Sequence, residues 1–187
     1  MQRQFPLFQS HIDLAHSYWH RLVKPGDLVI DATCGNGKDA LFLAGLLAAR
    51  IICLDIQQKA VDSSKELLKE YNHISFHTQC HSTFPEEIES ESVKLIVYNL
   101  GYLPGGDKTR TTQSRTTIES LSKALKLIQP GGAVSVTCYP GHPEGAVEEE
   151  KILSWSENLA QDKWNVCFHH FSNRKQSPSL LIIQSSK

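Results

Sequence analysis

The chain has 187 residues, 40% of them hydrophobic, which is enough for a substantial core and too apolar for disorder throughout. Nineteen Lys and Arg against twenty Asp and Glu leave a net charge of −1, which excludes a globally basic nucleic-acid binder; a polyanion would need a local patch. No stretch is apolar over the length of a membrane span, and the opening residues lack the apolar centre of a signal peptide.

In chain order, Ile12, Ala15, Trp19 and Leu22 recur at helical spacing and predict a helix over residues 9–23. Pro25-Gly26-Asp27 turns into a strand at residues 28–31, and a Gly-rich loop then opens a helix through Ala40, Leu43 and Leu47. Residues 51–55 form a short apolar strand ending in Asp55, followed by a helix carrying Ala60, Val61, Leu67 and Leu68. A weaker strand spans residues 73–77, and a fourth runs over 93–98. Thr116-Thr117-Ile118-Glu119 has the form of a capping box and predicts the start of a helix reaching Ile128, which Pro130-Gly131-Gly132 stops ahead of a strand at 133–138. A helix at 144–159 precedes two strands, 164–171 and 179–184, joined by too few residues for a crossover helix and therefore expected to pair antiparallel. Alternating helices and apolar strands imply a single domain built on a mostly parallel sheet covered on both faces. The five cysteines (Cys34, Cys53, Cys80, Cys138, Cys167) are scattered, odd in number and form no CxxC, as expected of a reduced cytoplasmic protein without structural disulfides.

Asp31-Ala32-Thr33-Cys34-Gly35-Asn36-Gly37 lies at the carboxyl end of the first strand, where open α/β sheets bind ligands. Gly35 and Gly37 remove side chains where backbone must approach a ligand. The run Gly35-Asn36-Gly37-Lys38-Asp39-Ala40 also reads as G-x-G-x-x-A with Asp55 some twenty residues on, the arrangement of a dinucleotide site, so NAD is a competing ligand and an NAD-dependent oxidoreductase a competing function. Two features favour S-adenosylmethionine (SAM). The glycines fall several residues beyond the strand, and the strand closes on Asp31, a carboxylate that suits an ammonium group and repels a pyrophosphate. On the SAM reading Asp55 accepts from the ribose hydroxyls, Ile56 and Gln57 line the adenine, and His81 approaches it from the loop after the third strand.

Asn99-Leu100-Gly101-Tyr102-Leu103-Pro104 follows the fourth strand. The Asn99 side-chain oxygen and the Leu100 carbonyl can orient the lone pair of an attacking amine, while Tyr102 packs on a flat group that carries it. Methyl transfer from a sulfonium needs mainly positioning and a neutral nucleophile. His142, in Tyr139-Pro140-Gly141-His142 after the fifth strand, either contacts the substrate or relays the released proton, or else braces its loop. Lys108, Arg110 and Arg115, interleaved with Thr111, Thr112 and Ser114, and Arg174-Lys175 in the last hairpin turn, form a candidate phosphate-binding rim. His16 and His20 are spaced like a metal pair but lack a glutamate between them and a third ligand, so no metal is expected.

Asn99–Tyr102 resembles the (Asp/Asn)-Pro-Pro-(Tyr/Phe) motif of amino-methyltransferases, with Leu-Gly in place of Pro-Pro and hence a less rigid loop. With Asp31-Ala32-Thr33-x-Gly35-Asn36-Gly37-x-Asp39, Asp55-Ile56-Gln57, residues 99–108, Tyr139–Gly145 and Ala15-His16, the chain is similar over nearly its whole length to the YtqB/MnmM-like methyltransferases, formerly described as rRNA methylases. The resemblance implies a Rossmann-like class I fold with seven strands, the last antiparallel. It also implies that Thr33, Asn36, Asp39 and Asn99 join the cofactor site. The implied activity is SAM-dependent conversion of 5-aminomethyl-(2-thio)uridine to its methylaminomethyl form at the tRNA wobble position. The anticodon stem-loop is the implied partner, Leu100, Tyr102, Thr112 and His142 lie on the substrate side, and a homodimer is compatible. A small-molecule amine or an rRNA remain alternative acceptors.

Overall fold

A computed structural model describes residues 8–46, 50–103, 105, 111–174 and 176–186. Among the proposed site residues, Lys108, Arg110 and Lys175 lie outside this range, as does Pro104 of the target motif.

Among these residues seven strands form one sheet: β1 (Leu28–Asp31), β2 (Arg50–Asp55), β3 (Ile74–Thr78), β4 (Val93–Asn99), β5 (Ile128–Cys138), β6 (Trp164–His169) and β7 (Ser179–Ser185). Their order is β3-β2-β1-β4-β5-β7-β6, all pairings being parallel except those of β7, which runs antiparallel to both β5 and β6. The expected hairpin is therefore present, with its second strand inserted between the first and the rest of the sheet.

Among the described residues five helices cover the sheet: α1 (His11–Leu22), α2 (Lys38–Ala44), α3 (Gln58–Leu67), α4 (Ser114–Leu127) and α5 (Pro143–Ser156). On one face, Ala15 and Trp19 of α1 and Leu43 of α2 pack with Val29, Ile51, Leu95 and Leu180. On the other, Leu121 and Ala124 of α4 and Ile152 of α5 pack with Ile30, Ile52, Ile96 and Val136. Odd and even positions of the same strands feed opposite cores, the reason these strands read as continuous apolar runs. Among the described residues no helix is long and apolar enough to cross a membrane.

Two boundaries differ from expectation. The Thr116/Glu119 pair does not cap α4. The helix begins at Ser114 with Gln113 as N-cap, Thr116 Oγ1 donates back to the Gln113 carbonyl, and Glu119 pairs with Lys123 one turn on. Nor does the helix include Ile128, which is the C-cap of α4 in an extended conformation and opens β5. Pro130-Gly131-Gly132 is carried inside that strand. A side chain on Gly132 would stand 2.8 Å from the Lys94 carbonyl, so the irregular crossing between β4 and β5 requires glycine there.

Sheet order reverses at β1, which has β2 on one side and β4 on the other. The carboxyl ends of these three strands carry Asp31, Asp55 and Asn99. This is the switch-point crevice where open α/β sheets bind ligands.

Candidate functional site

A cavity of about 800 Å³ opens at that crevice, walled by the loops after β1, β2, β3, β4 and β5 and by the β6–β7 turn. It has two halves.

The first is built on the β1 loop. The Ala32 N–H donates to Val97 of β4 and the Cys34 N–H to Leu54 of β2, which ties the loop to both neighbouring strands. Asp31 is buried, and its Oδ1 accepts the Thr33 N–H at 3.2 Å. Its Oδ2 is buried and meets no hydrogen-bond donor among the described residues. Burial pushes this carboxyl well above the usual range, and Cys34, Asp39 and Asp55 push it further against the pull of the Thr33 amide. Asp55 is less isolated. It accepts Gly35 N–H at 3.0 Å and Gln57 N–H at 2.8 Å, and these amides oppose the upward push of its burial.

Gly37 sits at φ +78°, and a side chain there would lie 2.9 Å from Ser64 Oγ. Ser64 in turn donates to the Gly35 carbonyl at 2.8 Å, so α3 presses the loop into shape. Asn36 and Gln57 line the cavity, and Ile56, 64% exposed, offers an apolar side chain to it. His81 is on the wall but committed beneath it. Its Nε2 is 3.4 Å from Thr117 Oγ1, its ring stands edge-on to Tyr98, and burial lowers its pKa to about 4. It is a neutral imidazole whose ring packs towards α4, neither an exposed loop residue nor a pH switch near neutrality.

The second half is the target loop. The Asn99 N–H donates to Thr33 Oγ1 at 2.7 Å, joining the two halves, and its side-chain Nδ2 donates to Asp39 Oδ2 at 3.0 Å. Asp39 also pairs with His16 Nε2 at 3.0 Å, and the His16 ring stacks on Phe42. His16 is thus a brace for Asp39, and among the described residues no group of three or more His, Cys, Asp or Glu could hold a metal ion. Leu100 turns its side chain into the core, leaving the backbone to the cavity.

Hydrogen bonds tie down the described part of the loop. Gly101, at φ +108°, donates its N–H to Thr112 Oγ1 at 2.9 Å and accepts the Thr112 N–H at 3.0 Å, while Tyr102 bridges Thr111. Thr112 Oγ1 donates at 2.6 Å to Glu148, which also accepts from Thr117 Oγ1 at 2.6 Å. Glu148 is a buried carboxylate on α5, raised by burial and held down by the two hydroxyls. The sequence reading missed it. Its clue is the run Glu148-Glu149-Glu150 on a helix whose buried Ile152 lies one turn after Glu148, which turns one of the three acids inward.

Tyr102 is 39% exposed at the mouth, its ring 5.9 Å from that of His142. His142 caps α5, its Nδ1 accepting the Gly145 N–H at 3.1 Å. That contact commits Nδ1 to the α5 N-terminus. Tyr139 lines the cavity with its ring against Gly101, and its hydroxyl is 3.1 Å from His11 Nε2 at the start of α1. Arg174 lies over the Phe171 ring at 4.9 Å in the β6–β7 turn, whose Gln176 and Pro178 reach the cavity.

Residues 51–185 match the family profile described as "Putative rRNA methylase". The chain is 35% identical over 185 residues to a chloroplastic tRNA (mnm(5)s(2)U34)-methyltransferase of Arabidopsis thaliana, covering 91% of this chain and 68% of that protein. Among solved structures it is similar to a protein of the rRNA-methylase description from Clostridium thermocellum, with a TM-score of 0.90, 36% identity, and coverage of 95% of this chain and 98% of that one. A Streptococcus mutans protein described as a methyltransferase and solved in complex with SAH matches with a TM-score of 0.86, 26% identity, and coverage of 95% and 99%.

Proposed function

The chain belongs to the family described as "Putative rRNA methylase", with the class I methyltransferase fold and SAM as cofactor, and from that premise we propose the acceptor and the residues that serve it. The protein is an N-methyltransferase that converts 5-aminomethyl-(2-thio)uridine at the tRNA wobble position to the methylaminomethyl form, acting on the tRNA pool of the cytoplasm.

The observation that carries this reading is the pairing of two sites in one cavity. Asp31 presents a buried carboxylate oxygen with no donor among the described residues, and Asn99 presents an amide whose nitrogen is already engaged. The first fits the ammonium of an amino-acid-bearing cofactor, which would satisfy the orphaned oxygen and relieve the upward push on the carboxyl. Asp55 fits the ribose hydroxyls, Ile56 and Gln57 the adenine, and Gly35, Asn36 and Gly37 the backbone approach. When bound, SAM supplies an electrophilic methyl group on its sulfonium. The remaining work falls to the protein. With its Nδ2 on Asp39, Asn99 directs its Oδ1 at an acceptor amine, and Leu100 adds its carbonyl. Tyr102 packs on the pyrimidine.

An amine acceptor favours a modified base bearing an aminomethyl arm over an unmodified rRNA base, and the Arabidopsis relative is named for that nucleoside. Arg174, with Lys108, Arg110 and Lys175, supplies phosphate contacts to the anticodon stem-loop. The test is mass spectrometry of nucleosides after incubation with labelled SAM, using bulk tRNA from cells lacking the enzyme, rRNA and free amines in parallel. Label in methylaminomethyluridine is expected; label only in rRNA or free amines would replace this reading.

A further inference from the structure

An alkylammonium has a pKa of roughly 10 and holds its proton at neutral pH, so an amine methyltransferase must remove that proton before attack. His142 was the sequence candidate for this task, and its Nδ1 is occupied in capping α5. Another imidazole reaches the same cavity through one hydroxyl. Tyr139 lines the cavity, with its ring against Gly101 of the target loop. Its hydroxyl lies 3.1 Å from His11 Nε2, the two rings meeting edge-on with centroids 5.4 Å apart. The contact joins residues 128 positions apart and links the substrate side of the cavity to the N-terminal turn of α1.

We infer that Tyr139 and His11 form the proton exit of the methyl-transfer site, with Tyr139 touching the acceptor amine and His11 receiving the proton through it. The inference rests on an amine being the acceptor. In the step, an N–H bond of the substrate ammonium breaks and its proton bonds to the Tyr139 oxygen. The phenolic proton moves in concert to His11 Nε2, and the nitrogen keeps the electron pair as a neutral amine. The imidazolium then loses a proton to water at the rim.

The surroundings suit these roles. Burial lowers the His11 pKa against the opposing pull of Asp13 on its own helix and Asp39 on α2, which favours the neutral imidazole. Burial, reinforced by Asp39 and Cys138 and opposed by the Asn99 amide, pushes Tyr139 up to about 12, so it passes a proton on and does not rest as phenolate. Asp39, which holds Asn99, is also the carboxylate whose charge acts on both His11 and Tyr139.

The test compares H11Q and Y139F with the unaltered protein on tRNA carrying aminomethyluridine. Failure of the unaltered protein to methylate would remove the acceptor assignment itself. If it methylates, each variant is expected to lose about 100-fold in kcat near neutrality, the low end of what a positioned proton acceptor contributes. The deficit should close as pH approaches the amine's own pKa, and SAM affinity measured by calorimetry should hold. A deficit equal at every pH, or no deficit, overturns the proposal. A second readout uses the ligand-free protein. NMR titration of His11 should show its midpoint rising in Y139F, because a hydrogen bond that the neutral imidazole accepts is lost; an unmoved midpoint also overturns it.

Discussion

Asn99 Nδ2 donates to Asp39 Oδ2 at 3.0 Å, across 60 residues of sequence, and this bond decides which way the Asn99 amide faces. An amide is nearly symmetric in shape and opposite in chemistry at its two ends. With nitrogen towards Asp39, the end left for an incoming amine is the acceptor. D39N offers the Asn99 carbonyl a donor and permits the amide to turn over. We expect D39N and N99A each to lower kcat about 100-fold, the scale of a misplaced reacting group. SAM affinity, measured separately by calorimetry, should fall much less.

With the SAM ammonium placed on Asp31, SAM binding is expected to depend on pH. Its folded-state pKa is raised, so as pH rises from the ordinary carboxylate range, near 3.9, towards the raised value, the folded chain retains a proton that the unfolded chain releases. Stability of the ligand-free protein therefore falls across that window. An ammonium at Oδ2 favours the ionised form, so binding expels a proton and affinity rises with pH through the same window. Calorimetry in buffers of different ionisation enthalpy should report net proton release at its upper end. D31N should bind weakly and release none.

Glu148 braces the target loop through Thr112. E148A leaves the hydroxyls of Thr112 and Thr117 without their acceptor, at about 1–3 kcal/mol for each group left unsatisfied. Urea unfolding should show the loss. In E148Q, which keeps one acceptor oxygen, the loss should be smaller, with the KM for tRNA rising more than the KM for SAM.

Gly37 is held at φ +78° under Ser64. G37A is expected to cost about 1–2 kcal/mol from the left-handed backbone alone. The Cβ must also displace Ser64, whose hydroxyl holds the Gly35 carbonyl. Thermal unfolding and SAM titration should both register the change.

Tyr102 is 39% exposed, and its removal should leave thermal stability nearly unchanged. If it stacks on the target base, Y102A loses about 1–3 kcal/mol of binding, roughly 5- to 150-fold in the KM for tRNA.

What the sequence determined by itself is local in origin. The alternation of apolar strands and helices, with a connection too short for a crossover before the last strand, specified the sheet and its antiparallel member. Asp31, Asp55 and Asn99 were legible because each stands at the carboxyl end of a strand, and strand ends can be read from periodicity; the two glycines were legible as the turn signal between the first strand and the helix after it. The Thr116/Glu119 motif shows where local reading stops. Both residues are present, and the helix starts before them, where Thr117 reaches Glu148 on α5 and Ser114 Oγ accepts from Lys151 on the same helix.

The tertiary structure alone decided the partners. Asp39 with Asn99, Glu148 with Thr112 and His11 with Tyr139 are separated by 60, 36 and 128 positions. Which of three consecutive glutamates turns inward, and which histidine meets the Tyr139 hydroxyl, depends on the rotation and height of each helix against the sheet. Those are fixed by packing of the two apolar cores, and a one-dimensional pattern carries no record of where two distant side chains end within hydrogen-bond reach of each other.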